Sequence, residues 1–206
     1  MFSFIHHWRE LSRFKKLPPT DRSIVFYAED AGSWRHFEPV LSELTGPLGK
    51  EVCYVTSSTA DPILKTQNPR INSFCVGFGT ARTLMFQFLQ ADVMVMTMPD
   101  MDVYHIKRSK YPVHYVYMFH SMVSSHMIYR TRAFHHYDTA LCVGPHHENE
   151  IRAAEELYGL PVKTLVKTGY GILDGILASN HNLDIGDSNG GPTVKRVLVA
   201  PSWGDN

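Results

Sequence analysis

The sequence predicts an α/β fold in which a mostly parallel sheet carries helices on both faces. Short runs rich in β-branched and aromatic residues recur along the chain, and several are apolar nearly throughout, which is typical of strands that are covered on both faces. Helical patterns lie between most of these runs. Because strands and helices alternate in this way, we predict a Rossmann-like sheet.

The individual elements follow from composition, spacing and end signals. The runs predicted as strands begin at Ser23, Glu51, Ile71, Asp92, Val113, Thr139, Val162 and Arg196. Apolar residues at helical spacing predict helices over residues 34–44, 80–90 and 146–158. Ser33 is the expected N-cap of the first helix, and glycines are expected to end the first helix at Gly46 and the third at Gly159.

The chain divides into four segments. Residues 1–20 form a basic and aromatic arm, residues 21–178 contain the alternating strands and helices, and residues 179–195 are a predicted linker rich in Asn, Asp and Gly. Residues 196–206 hold one further strand, which has no partner strand within its own segment. We therefore expect this strand to begin a second domain, so that the sequence is a fragment of a longer protein.

Charge, cysteine content and hydropathy limit the functions to consider. The 20 basic residues balance the 20 acidic ones, so no global charge favours nucleic acid as a partner. Cys53, Cys75 and Cys142 each lie in an apolar run and are predicted to be reduced core residues of a cytosolic protein. No run approaches the roughly 18 apolar residues that span a bilayer, and the N-terminus is a poor signal peptide. We therefore predict a cytoplasmic protein.

The N-terminal arm allows two interpretations. The stretch "FIHHWRELSRFKKLPP" mixes Phe, Ile, Trp and Leu with Arg and Lys. It could lie peripherally on the inner face of the cell membrane, as basic amphipathic helices do. The alternative is that its apolar residues pack across the body of the domain.

Small and polar residues follow several predicted strands, at the edge where open parallel sheets bind their ligands. The predicted site residues at these strand ends are Asp30, Gly32, Ser33, Ser57, His120, Ser121, Gly169 and Tyr170. We predict that a ligand-binding cleft forms where these residues meet. Apart from His120, they are predicted to bind substrate.

His120 is the candidate for chemistry, because it ends the fifth run at the rim of the predicted sheet. A histidine with the ordinary pKa of about 6.5 can take a proton from an attacking hydroxyl near neutral pH. The alternative is a histidine that is hydrogen-bonded at a strand end for structural reasons alone. The other histidines lack the zinc-protease arrangement, and we predict neither a metal nor a cofactor.

Two glycine-containing segments match phosphate-binding motifs only in part. In "CVGFGTAR", from Cys75, Arg82 stands where the dinucleotide fingerprint has its third small residue, and "GYGILDG", from Gly169, is a similar partial match. Glycine after a strand usually forms a tight turn. The sequence contains neither a Walker-type loop nor a G-x-S-x-G elbow, which disfavours P-loop chemistry and an ordinary serine hydrolase.

Three segments together resemble the CDP-glycerol glycerophosphotransferase family in order and spacing. They are "YVYMFHSM", "VKTGYGILD" and "VLVAPSWGDN". His120 matches the family's catalytic histidine. The matches in the second and third segments are Gly169, Tyr170, Asp174, Ala200, Pro201 and Trp203, and Asp174, Ser202 and Trp203 join the predicted substrate-binding set. The sequence departs from the family pattern at Ser121, Gly171, Ile172 and Gly204.

The resemblance implies a GT-B architecture of two Rossmann-like domains, of which this chain holds the acceptor side. It implies transfer of a glycerol-phosphate or related unit from CDP-glycerol, or a similar nucleotide-activated donor, to a hydroxyl of a cell-surface polymer. The acceptor would be a polyol phosphate or a glycan, and the fragment would be inactive alone. Two alternatives stay open: a nucleotide-sugar glycosyltransferase or epimerase of the same fold, and a non-catalytic binding module.

Overall fold

The computed structural model of the protein describes residues 2–104 and 106–180. Within these residues, seven of the eight apolar runs form one parallel sheet. The strands are β1 (Ile24–Ala28), β2 (Val52–Thr56), β3 (Ile71–Cys75), β4 (Val93–Met96), β5 (His114–Met118), β6 (Thr139–Cys142) and β7 (Thr164–Lys167). Every neighbouring pair is parallel, which confirms the predicted α/β sheet. The eighth run, from Arg196, lies outside the described residues.

The strand order is β3-β2-β1-β4-β5-β6-β7. From β1 the chain adds β2 and β3 on one side, and it then returns to place β4 on the other side of β1. The order therefore reverses between β1 and β4. At such a reversal the loops after the two strands diverge and leave a crevice, which is where open α/β sheets bind ligands.

Helices occupy the connections that the sequence pattern assigned to them, with differences at their ends. The helices are α1 (Phe2–Lys16), α2 (Trp34–Thr45), α3 (Thr80–Gln87), α4 (Ser125–Ile128), α5 (Pro145–Tyr158) and α6 (Gly171–Asn180). The three predicted helices are confirmed as α2, α3 and α5, although α3 ends at Gln87 rather than at residue 90. Gly46 and Gly159 cap α2 and α5 as expected, and Gly159 adopts a φ of 59°, which glycine adopts without strain. Helix α6 was not predicted, and it extends into the first two residues of the predicted linker.

Alternate residues of each strand face opposite layers of helices, because side chains alternate across a strand. On β1, Val25 and Tyr27 belong to one core cluster, whereas Phe26 and Ala28 belong to the other. Apolar residues of α1, α3 and α5 complete the first cluster, and those of α2 complete the second. Helices on both faces of the sheet are therefore confirmed. The three cysteines are buried and free.

The predicted N-terminal arm forms α1, which packs on the sheet through its C-terminal half. Leu11 and Phe14 are 2% and 1% exposed, and the Phe14 ring meets the Phe74 ring of β3 edge-on at 5.4 Å between centroids. The apolar residues in the first turns of α1 are not buried in this way, since Phe4 and Ile5 are 60% and 63% exposed. No helix in the described part of the chain combines the length and the hydropathy needed to cross a bilayer.

Candidate functional site

A polar cavity of about 240 Å³ lies at the reversal of strand order between β1 and β4. It is formed by the loops that follow β1, β4 and β5. Its lining includes Asp30, Gly32, Ser33, His36, Thr97 and His120. The structure thus brings four of the predicted site residues together at one crevice, three from the first strand end and one from the fifth.

The loop after β1 is fixed by Asp30. Its Oδ1 accepts hydrogen bonds from the backbone N of Ser33 at 3.1 Å and from the Ser33 hydroxyl at 3.4 Å, which caps the single 3₁₀ turn before α2. Ser33 is the N-cap residue of α2, as predicted, but its side chain makes no capping hydrogen bond. The Ser33 hydroxyl instead lies 3.3 Å from the hydroxyl of Thr97, joining the loops on the two sides of the crevice.

His120 lies among aromatic side chains at the end of β5. Its Nδ1 is 3.5 Å from the hydroxyl of Tyr117, and its carbonyl accepts a hydrogen bond of 3.3 Å from the Tyr170 hydroxyl. Its ring is edge-on to that of His36, with 5.6 Å between centroids. These contacts hold the imidazole in the cavity wall, half-buried, and attach the start of α6 to the end of β5.

His36 is a site residue that the sequence reasoning missed. It lies in the first turn of α2, is 8% exposed, and has its ring centroid 6.0 Å from that of Tyr170. The one sequence signal was its place three residues after Ser33, because the first turn of a helix that starts at a strand end faces the same crevice. Its proximity to His120 depends on the neighbouring positions of β1, β4 and β5, which no local pattern gives.

Burial keeps both histidines uncharged at neutral pH. Desolvation, followed by the charges of His120 and Arg35, lowers the pKa of His36 to about 4, against a partial opposing effect of Asp30. Desolvation also lowers the pKa of His120, while the Asp30 carboxylate raises it and Arg35 lowers it further. A neutral imidazole can accept a proton, and the Asp30 charge would favour the imidazolium that results.

Folding stability should fall as the pH is lowered from 6.5 towards 4, because the unfolded chain binds protons in this window and folded His36 does not. The shift from 6.5 to about 4 corresponds to a loss on the order of 3 kcal/mol from His36 once the pH is below both values. The contribution of His120 has the same sign. Urea unfolding at a series of pH values checks this, and His36→Gln should flatten the decline. An unchanged decline in that variant would contradict the assignment.

The second predicted motif, "VKTGYGILD", contacts the site residues through the side chain of Tyr170. Tyr170 contacts both His120 and His36, and Gly169, with a φ of 70°, makes the turn before α6. Gly171 packs against Pro39 of α2, and an added Cβ would lie 3.6 Å from that ring. Asp174 is exposed on α6, and it does not line the cavity.

Ser57 and Ser121 also lie outside the cavity lining. Ser57 is buried, and its hydroxyl is within 2.8 Å of the Tyr27 hydroxyl and donates to the Gly77 carbonyl at 2.9 Å. These contacts occupy its hydrogen-bonding groups within the core. The Ser121 hydroxyl lies 3.5 Å from that of Tyr129, beside the site. Ser202 and Trp203, with the rest of the third motif, are outside the described residues.

The glycine loop after β3 accommodates α1. A Cβ built on Gly77, whose φ is 60°, would lie 2.1 Å from Cε1 of His7, so the absence of a side chain permits the helix to approach. Arg82, which interrupts the fingerprint, forms a 3.2 Å ion pair with Glu29. Both observations favour a structural role for this loop.

The fold and the cavity together define a Rossmann-like α/β protein with a candidate site at the point where strand order reverses. Comparison of the chain with protein-family models, with curated proteins and with solved structures gave no match. Within residues 2–104 and 106–180, no group of three or more His, Cys, Asp and Glu side chains is arranged to hold a metal ion.

Proposed function

We propose that this chain is the acceptor side of a GT-B transferase that resembles the CDP-glycerol glycerophosphotransferases. The transferred group would be a glycerol phosphate or a related unit, and the acceptor would be a hydroxyl of a polyol-phosphate or glycan polymer at the cell surface. The observation that carries the proposal is the position of His120, in the wall of a polar cavity where the strand order reverses. In this proposal the nucleotide is held mainly by a second domain.

In this mechanism His120 acts as the general base. Its Nδ1 is next to the Tyr117 hydroxyl. In the tautomer in which Nδ1 carries the proton and donates it to that hydroxyl, Nε2 is unprotonated and takes the proton from the acceptor hydroxyl. The acceptor oxygen then forms a bond to the phosphorus of the transferred unit, while the bond from that phosphorus to the nucleotide oxygen breaks. The nucleoside monophosphate leaves with the electron pair of that bond. The Asp30 carboxylate favours the imidazolium that forms on His120.

The remaining polar groups of the cavity suit a polyhydroxylated acceptor. Asp30, Ser33 and Thr97 contribute carboxylate and hydroxyl oxygens to the lining, and Arg35 in the same lining can pair with a phosphate oxygen. Neutral His36 adds a further hydrogen-bonding group without adding charge at neutral pH. A cavity of about 240 Å³ fits one polyol unit better than a whole nucleotide, which supports an acceptor role.

The first turns of α1 support a proposed peripheral contact with the membrane. Phe4 and Ile5 are exposed there, and Arg9, four residues after Ile5 on the helix, is exposed as well. Apolar side chains beside basic ones favour binding to anionic lipid surfaces. Because Leu11 and Phe14 are already buried in the domain, this contact would involve only the beginning of α1.

The donor is tested by incubating the complete gene product with CDP-glycerol and a polyol-phosphate acceptor, and by measuring release of CMP. We expect CDP-glycerol to be consumed and UDP-glucose or GDP-mannose to be left intact. Consumption of a nucleotide sugar instead would favour the glycosyltransferase or epimerase alternative. Binding of the acceptor with no turnover of any donor would favour a non-catalytic module, an alternative that the departures from the family pattern at Ser121, Gly171 and Gly204 support.

A further inference from the structure

A second and larger cavity, of about 590 Å³, lies between α5 and the segment that contains α4. Its volume is within the range of small-molecule sites, about 300–1,000 Å³. Its walls are mainly hydrocarbon and aromatic, and they include Tyr129, Phe134, Ile151, Ala154, Leu157 and Leu160. None of the residues that line the cavity at His120 lines this one, so the proposed transferase site does not explain it.

The wall that contains α4 is fixed to α5 by one carboxylate. Glu150 accepts hydrogen bonds from the Ser124 hydroxyl at 2.7 Å and from the backbone N of Ser125 at 2.6 Å. Although burial alone would raise it, hydrogen bonds from Ser125 and Ser124 hold the pKa of Glu150 at about 2. The cavity is therefore braced, and the oxygens of Glu150 are already engaged.

The other carboxylate in the lining is engaged as well. Glu155 is 6% exposed, its Oε2 accepts from Arg152 at 2.5 Å, and its Oε1 accepts from the backbone N of Lys163 at 2.7 Å. Both acidic residues of the lining are thus bound by the protein's own donors. A cationic ligand would find no free carboxylate there.

Unused hydrogen-bonding groups gather at one end of the cavity. Lys163 is 5% exposed, and the one acceptor that the described residues give its ammonium is the carbonyl of His135, at 3.1 Å. An ammonium has three N–H donors, so two are left for a ligand. The Nε2 of His135 is buried and has no hydrogen-bond partner within the described part of the chain. A buried polar atom without a partner is costly, and a ligand atom here would remove that cost.

We propose that this cavity binds a small amphiphile whose hydrocarbon body lies between Phe134, Ile151 and Leu157 and whose carboxylate pairs with Lys163 and His135. Charge complementarity selects an anion, because the acidic side chains are engaged while the buried ammonium is only partly hydrogen-bonded. The carboxylate accepts from the ammonium directly. The other ring nitrogen of His135 donates to the backbone of Thr131, so Nε2 donates to the carboxylate only in the imidazolium, which a bound anion favours. The site is independent of the proposed transferase activity.

Calorimetric titration of the chain with decanoate, decanol and decyltrimethylammonium tests the proposal, because the three probes share a hydrocarbon tail and differ in head-group charge. We expect decanoate to bind at least about tenfold more tightly than decanol, and the cationic probe to bind more weakly than either. Equal affinities for decanoate and decanol, or no binding of either, would overturn the proposal.

Two variants locate the binding. Ala154→Trp fills the cavity from the half-buried face of α5, and it should weaken both decanoate and decanol by at least about tenfold. Lys163→Met keeps an apolar side chain of similar length, and it should abolish the preference for the carboxylate while decanol still binds. Circular dichroism checks that each variant is folded. If Lys163→Met does not fold, Ala154→Trp and the probe series decide, and unchanged decanoate affinity in Ala154→Trp overturns the proposal.

Discussion

In the proposed transferase, replacing His120 with alanine should lower turnover of the nucleotide-activated donor by about 10²–10⁴-fold, equivalent to about 3–5 kcal/mol of barrier. The reason is that the acceptor hydroxyl would lose the group that removes its proton. The side chain is half-buried at the cavity wall, so its loss should leave the sheet folded. The measurement is kcat for CMP release by the complete gene product, with circular dichroism to confirm the fold.

The same strand offers a matched control. His114 is the first residue of β5, at the opposite end of the strand from His120. Its side chain is exposed, and its Nε2 lies 2.8 Å from the Thr139 hydroxyl. His114→Ala should keep kcat within a few-fold of the parent enzyme. Turnover within a few-fold of the parent in His120→Ala would remove His120 from the mechanism, whatever the result for His114.

Phe37→Ala should cost about 3–5 kcal/mol of unfolding free energy, which is the usual range for removing a buried aromatic ring. Phe37 is 0% exposed, and its ring meets those of Phe26 and Tyr54 edge-on, at 5.2 and 5.9 Å between centroids. Together with Trp34, whose ring centroid lies 6.0 Å from that of Tyr54, Phe37 anchors the first turns of α2 to the sheet. Urea unfolding followed by circular dichroism measures the loss.

The consequence for the site follows from the helix geometry. His36 precedes Phe37 on α2, so a loosened α2 would also misplace His36 relative to His120. Phe78→Ala is the matched control, because that ring is 60% exposed, and it should cost less than about 1 kcal/mol. Similar losses in the two variants would show that α2 is not anchored through Phe37.

Much of the fold could be predicted because it is encoded locally. The strands lie in short apolar runs, most of them rich in β-branched and aromatic residues, and α2, α3 and α5 show apolar spacing with glycines where two of them end. The sequence pattern did not predict elements whose local signals are weak or mixed. Helix α6 begins with "GILDG", a stretch whose glycines and exposed apolar residues give no amphipathic face.

The candidate site was predictable only in part, for a geometric reason. Asp30, Ser33 and His120 follow strands, and the rule that parallel strands bind ligands at their carboxyl ends was enough to select them. The same rule selected Ser57, whose strand β2 is one position away from the reversal of strand order. The structure places that serine in the core instead, bonded to Tyr27 and Gly77.

The sequence by itself determined the class of fold, the approximate positions of the seven described strands, and the set of polar strand ends from which a site could be built. These depend on interactions between residues close in the chain. The tertiary structure alone decided that β1 lies beside β4, that His36 therefore meets His120, and that a braced cavity opens between α4 and α5. Such contacts join residues far apart in sequence, and they arise from the packing of whole helices and strands.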